Sequence, residues 1–208
     1  MRKCVLVAMA AGIMTAAGAR GLAGEIPLSI AGFTLGRPIE AASEKVIMET
    51  ALPVRYMENL HEVEIVPLEG FKAGLIAFGT CRTPSTIVRI KLKYADGSLK
   101  FYEELLTRFK QTFGEPDEYQ GDPFRVFISW KWSFKDQSQN RVSLVLQHNL
   151  KDEDEKIGNA VKLTLHSRLE EDEQCYGQQK SNRRAELRQR RLPPSSSGEP
   201  SWGRFIPN

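Results

Sequence analysis

Histidine and cysteine are both scarce, with three of each in 208 residues. No His, Cys or carboxylate spacing around His61, His148 or His166 resembles a zinc ligand set. There is no Gly-x-Ser-x-Gly elbow, no cysteine beside a histidine, and no glycine-rich loop leading into a helix. Serine or cysteine nucleophiles and nucleotide phosphates therefore have no signature here. The acidic run Asp152 to Glu155 puts Lys156 and Ile157 where a calcium loop needs glycine and further ligands, so it reads as a solvated hairpin tip. No cofactor is implied. Nor does any apolar run reach the roughly 20 residues a membrane-spanning helix needs. The longest, Cys4 to Ala19, is shorter and rich in alanine and glycine.

That run belongs to a start with an export pattern. Residues 1–24 hold Arg2, Lys3 and Arg20 and no acid, and Ala17-Gly18-Ala19 and Gly21-Leu22-Ala23 are small-x-small cleavage patterns. Cys4 opens the apolar run instead of following it and is not placed for lipidation. The expected product is exported, periplasmic or secreted, and not an integral membrane protein. The whole chain has 29 Lys+Arg against 26 Asp+Glu, but without residues 1–24 the two balance at 26 each. The balance hides a division: 176–208 carries a net +5 and 25–175 a net −5. Two cysteines remain, Cys81 and Cys175. In an oxidising compartment they permit one bridge, closing a loop of about 95 residues, and a buried thiol plus an exposed one is the other arrangement.

The chain is 41% hydrophobic, 26% charged and 9% aromatic. That is a globular composition. Pro38 opens a helix over 39–51 with Ile39, Ala42 and Val46 as its stripe, and Pro53 ends it. Strands follow at 61–68, 71–78 and 86–94. In the last, Val88, Ile90, Leu92 and Tyr94 alternate with Arg89, Lys91 and Lys93, giving one wet face. Ser98 caps a second helix over 99–113, whose Leu99, Tyr102, Leu106, Phe109 and Phe113 step by three and four. Gly114 and Pro116 stop it. Beyond a polar loop at 115–122, apolar residues fall on every second position from Phe124 to Phe134, then again over 142–148 and 161–165.

Helix, three strands, helix, three strands is an α+β pattern: a mainly antiparallel sheet with two helices on one face, arranged as a tandem helix-β-β-β repeat. The expected organisation is a signal at 1–24, one domain over 25–175 with halves at 25–95 and 96–175, and a basic, Ser/Pro-containing disordered tail at 176–208, within which 180–191 is a candidate helix.

Parity assigns Trp130, Trp132 and Phe134 to the core and leaves Phe127, among Ser129 and Lys131, as the better exposed contact. It also aims His148 and His166 at opposite faces. In the tail, Arg183, Arg184, Arg188, Arg190 and Arg191 suit an anionic surface or an acidic envelope partner, and Trp202 and Phe205 suit a short docking segment. Export disfavours nucleic acid. Glu115, Asp117, Glu118 and Asp122 surround Gly121 in the loop where paired carboxylates would act if the chain were a hydrolase. Three readings follow: a non-enzymatic binding or scaffold module, a carboxylate-dependent hydrolase using 115–122, and a structural envelope component tethered by its tail.

The Gly32-Phe33-Thr34-Leu35-Gly36 opening and the Phe113-Gly114-Glu115-Pro116 helix end resemble small exported α+β modules, namely the small-protein-A type outer-membrane assembly lipoproteins and the β-lactamase-inhibitor-like repeats. That resemblance implies a protein-binding scaffold of the cell envelope. It covers a few residues and an element order, lacks the lipoproteins' anchoring cysteine, and carries over no functional residue.

Mass spectrometry of the natively secreted protein is expected to show a chain lacking residues 1–23 or 1–24, with two thiols that alkylate only after reduction. A full-length mass with free thiols would overturn the export reading.

Overall fold

The structure, a computed structural model, describes residues 26–124, 126–149 and 158–190. The export segment, the acidic run at 152–155, and the end of the tail with Arg191, Trp202 and Phe205 lie outside the described residues.

A small hairpin, β1 (Ser29–Ile30) and β2 (Phe33–Thr34), leads into a 3-10 segment, Ile39–Lys45. Four strands follow: β3 (Val46–Val54), β4 (Met57–Ile65), β5 (Phe71–Gly79) and β6 (Ile87–Tyr94). Helix α1 (Leu99–Phe113) then precedes four more, β7 (Glu118–Gly121), β8 (Phe127–Lys135), β9 (Arg141–Asn149) and β10 (Gly158–Leu165), and α2 (His166–Arg190) completes the described chain. The fold is α+β with a mainly antiparallel eight-stranded sheet of order β3-β4-β5-β6-β10-β9-β8-β7. Each half is a four-stranded meander followed by a helix, and the meanders join where β6 pairs antiparallel with β10.

Three elements differ from the sequence expectation. The helix expected over 39–51 stops as a 3-10 turn at Lys45, and Val46-Ile47-Met48 continues as an edge strand. There Val46 pairs with Ile65 and Ile47 with Glu64, and a register shift takes up the residues before Leu52. Pro53, read as a helix stop, is tolerated because β3 lies at the sheet edge. The polar loop at 115–122 contains β7, whose pairing with β8 outweighs its polar composition. Residues 176–190, expected to belong to the tail with a candidate helix only from 180, continue α2 without a break from His166.

One sheet face is packed. Ile76, Ile90, Leu92, Val161, Leu163, Leu144, Leu146 and Trp132 form its buried floor. The α1 stripe covers one half: Phe109 meets Trp132 edge-on and Phe113 meets Phe134. Phe33, Leu35, Ile39 and Ala42 join the same cluster from the N-terminal hairpin and the 3-10 segment. The ends of α1 are fixed as its sequence signals. The Ser98 hydroxyl accepts the Phe101 amide at 3.2 Å. Gly114 sits at φ 81°. That is the positive-φ C-cap conformation that a side chain disfavours. The indole of Trp132 donates to the Gly114 carbonyl at 2.8 Å, tying the helix end to β8.

The two segments read as helices do share this packed face, but α2 lies on the opposite one, so the helices are not confined to one side. Leu169 of α2 packs with Leu60, Ala77 and Val88. Leu60 and Ala77 point away from the main core because their neighbours in the strands point into it, and Val88 joins them where a register shift between β5 and β6 breaks the alternation. Apolar area here is small, and polar and covalent links hold α2 in place. Asp172, 1% exposed, accepts the backbone amides of Thr80, Cys81 and Arg82 at 3.3, 2.9 and 2.7 Å. A Cβ at Gly79 would approach the Asp172 carboxylate to 2.8 Å, so only glycine lets this turn close on it. One helical turn further on, Cys175 is at disulfide distance from Cys81, with 5.9 Å between Cα atoms. Glu58 then accepts from Tyr176 at 2.9 Å and from Lys180 at 3.1 Å. Those two bonds hold the Glu58 carboxyl below its ordinary range, Lys180 contributing most. Among the described residues no helix is long and apolar enough to cross a membrane.

Asp172→Ala strips the acceptor from the Cys81 and Arg82 amides and leaves the Thr80 amide only the Asn59 carbonyl, at 3.1 Å. Urea unfolding of the oxidised protein should show a loss of about 2–4 kcal/mol, since each buried donor left unsatisfied costs about 1–3 kcal/mol. A loss under about 0.5 kcal/mol, the size of an ordinary surface change, would mean that the turn holds itself.

Candidate functional site

The sheet face opposite the core is polar and, beyond α2, open. Its composition follows from strand alternation. The apolar sets Ile90/Leu92, Leu163/Leu165 and Leu144/Leu146 point into the core. Arg89, Lys91, Lys162, Thr164, Ser143 and Gln147 must therefore point out. The register lines these outward residues up across the strands. One row reads Glu64, Leu75, Lys91, Lys162, Val145, Lys131, Glu118, each paired with the next. A neighbouring row reads Glu62, Ala77, Arg89, Thr164, Ser143, Ser133.

Charge in these rows is unevenly matched. At one end Glu118 pairs with Lys131 at 3.1 Å, and at the other Glu62 lies 3.8 Å from Arg89. Between them Lys91 and Lys162 are direct cross-strand partners, and among the described residues neither has a carboxylate within ion-pair distance. Directly opposed residues place their Cβ atoms only about 4.5–5.5 Å apart, and like charges there are destabilising. Lys162 is half-buried. Burial first, then the charges of Arg89, Lys91 and Lys131, push its ammonium below the ordinary lysine value.

A groove of about 450 Å³ runs over this area, with Lys162, Lys131, Ser129, Gln147 and Phe127 among its lining. The bay beside it, about 390 Å³, is bordered by Lys91, Lys93, Lys72 and Glu64. Phe127 thus reaches the groove from the position its parity suggested. His166, where β10 passes into α2, closes one side and bonds Ser143 through Nε2 at 2.8 Å. Burial, with Lys131 and Arg141 next, lowers the His166 imidazole from its usual value, while Glu170 opposes the shift.

His148 lies on the other, packed face, fully buried. Its Nδ1 meets Asn159 Oδ1 at 2.7 Å. Asn159 Nδ2 donates to the Asp96 and Ser98 carbonyls, both at 2.8 Å. Its Oδ1 is therefore the acceptor, and His148 carries its proton on Nδ1. The two histidines never meet.

The loop carboxylates are each engaged nearby. Glu115 bonds Lys110 at 2.7 Å, and Asp117 accepts the Ser133 amide at 2.6 Å. Glu118 pairs with Lys131, and Asp122 accepts the amides of Phe124 and Phe127. These are the bonds of a strand being pinned at its ends, and Asp117 and Asp122 flank β7 on either side. Cys81 and Cys175 come together, as described above. Arg183, Arg184 and Arg188 lie on the exposed outer part of α2, remote from the groove lining, and Arg190 is the last residue of that helix.

The sequence reading missed Lys162 and Lys131 as members of one site. The usable signal was parity: Lys162 alternates with Val161 and Leu163, as Lys91 does with Ile90 and Leu92. What parity could not supply was which strands are neighbours.

No protein-family model, curated protein or solved structure matches this chain.

The His166 shift has a pH signature. Its folded value is below the ordinary 6.5, so the unfolded chain takes up the proton more readily. Stability should therefore fall as pH drops through and below 6.5, with Lys131, Arg141 and Arg89 repelling the new charge and Glu170 partly offsetting it. His166→Gln should flatten that limb in urea unfolding measured pH by pH. An unchanged slope would assign it to other groups.

Proposed function

We propose that the protein is a non-enzymatic binding or scaffold module of the cell envelope that holds an anionic partner against its open sheet face. The observation that carries the reading is the adjacent pair Lys91 and Lys162, half-buried on that face with no acid among the described residues to match them, while the flanking Arg89 and Lys131 have theirs. Protein surfaces usually intersperse opposite charges, and an uncompensated pair costs stability unless something binds there. Export supplies the setting and rests on the pattern in residues 1–24. The resemblance to exported envelope modules points the same way, on sequence alone.

A second reading has its own observation. The outer part of α2 is exposed and presents Lys180, Arg183, Arg184 and Arg188 with Glu186 among them. A helix polar on every side bridges to something or stands in solvent. It suits an electrostatic tether to an anionic surface, which would release as salt rises.

Two charge-block variants separate these sites. Lys91→Gln with Lys131→Gln and Lys162→Gln removes the sheet-face cations, and Arg183→Gln with Arg184→Gln and Arg188→Gln removes those of the helix. Pull-down from the envelope fraction with the intact protein as reference should lose the partner in the first variant and keep it in the second. The reverse would assign binding to α2, and retention in both would remove the open face from the function.

A further inference from the structure

Resting on the open-face reading, we propose that the groove and the bay beside it seat an acidic glycan, a uronic-acid oligomer, with Lys162 of the groove and Lys91 of the bay together receiving a sugar carboxylate. Four features of the face select this chemistry.

The first is the electrostatics of the inner pair. A carboxylate placed between two opposed ammonium groups would neutralise a repulsion the free protein carries. Charge-assisted hydrogen bonds of this kind are about twice as strong as neutral ones. The second is what surrounds them. Ser129, Ser143, Thr164, Gln120 and Gln147 line the groove. They offer hydroxyls and amides, each able to donate and to accept, which is how a ligand's hydroxyl groups are satisfied. The third is what the floor lacks. Within the groove only Val145 and, at its margin, Leu169 are aliphatic, and Leu75 of the lysine row lies in the bay beyond Lys91. That is too little for a lipid chain or a fused aromatic ligand, which need a predominantly apolar lining. Phe127 adds one flat ring at the rim, a wall for the C–H face of a sugar.

The fourth is where a peptide would go instead. An extended peptide gains its affinity from main-chain bonds at an open sheet edge. The groove lies over the interior strands β6, β10, β9 and β8, whose backbone groups are already bonded to neighbours on both sides. An acidic peptide on this face would leave its own backbone to side chains alone. A glycan has no such requirement.

The proposal also bears on the free protein. If Lys91 and Lys162 oppose each other for the sake of a ligand, removing one charge should make the empty protein more stable, the usual trade between a binding site and the fold that carries it.

Isothermal titration calorimetry on the full chain, at about 150 mM salt to suppress loose charge attraction, tests this. The probes are an oligogalacturonate, a neutral maltooligosaccharide of the same length, and an oligoglutamate of matched charge. Expected is binding of the oligogalacturonate, none of the neutral sugar, and at least about tenfold weaker binding of oligoglutamate. Free galacturonate separates a monomer site from an oligomer site and should bind more weakly than the oligomer.

Lys162→Gln and Lys91→Gln should each weaken the oligogalacturonate by about tenfold or more and raise the thermal midpoint of the free protein. Lys91→Glu, which turns the repelling pair into an ion pair, should do both more strongly and guards against a variant that merely unfolds. Arg184→Gln should change neither.

Equal or tighter binding of oligoglutamate that is lost in Lys162→Gln would overturn the glycan and leave the open face as the binding surface. Binding of none of the probes would overturn the glycan proposal, while the charge-block pull-down still decides the open face on its own. A lowered midpoint in Lys91→Glu would overturn the argument that the pair is kept at a cost.

Discussion

The antiparallel pairing of β6 with β10 is the constraint on which the rest depends. Without it the chain is two four-stranded meanders, each with one apolar face and two edges. With it they form one sheet, and the apolar sets of both halves become a single floor. The register at this seam has little freedom. Strand side chains alternate with period two, so a slip of one residue would turn Leu163 outward and drive Lys162 into the core. The core thus forces Val161 beside Leu92 and Leu163 beside Ile90, and the same register leaves Lys162 directly beside Lys91 on the other face. The charge conflict on the open face follows directly from how the packed face must close.

The two long helices serve this sheet in different ways. α1 brings a full apolar stripe and is held by burial, with Tyr102 almost wholly buried and Phe109 and Phe113 set edge-on against the β8 aromatics. α2 brings Leu169 and little else that is apolar, so its place is set by the buried Asp172 carboxylate and the Cys81–Cys175 link. An element held by a few specific bonds near its start needs to cover only part of a sheet. That leaves the middle of the face, with its cations, hydroxyls and amides, accessible. Among the acids of the 115–122 loop, Asp117, Glu118 and Asp122 bond around β7 at the far edge, and Glu115 pairs with Lys110 of α1.

Much of this was legible in the chain itself. Alternation marked the strands from Thr86 to Tyr94, over Phe124 to Phe134, and at 142–148 and 161–165, although β8 begins only at Phe127 and Phe124 is exposed. The caps Ser98 and Gly114 bounded α1, and parity separated His148 from His166. Those features are local, decided by a few neighbouring residues and the geometry of a helix or strand. The segment after Lys45 was not legible, because a ragged apolar stripe fits a helix until an edge position beside β4 makes it a strand. β7 was hidden by its polar composition, and most of α2 by the charge run that looked like a solvated arm.

The sequence by itself determined which residues are wet and which are dry along the strands it marked, except where the bulge at Val88 breaks the period, because the two-residue period of a strand and the cost of burying charge leave little choice. It also offered Cys81 and Cys175 as a pair to bridge. Only the tertiary structure decided that those cysteines meet, that the strand order runs through β6 and β10, and that two lysines from opposite halves of the chain stand side by side. Strand order is settled by closure of the whole sheet over one shared core, and no stretch of sequence contains that information alone.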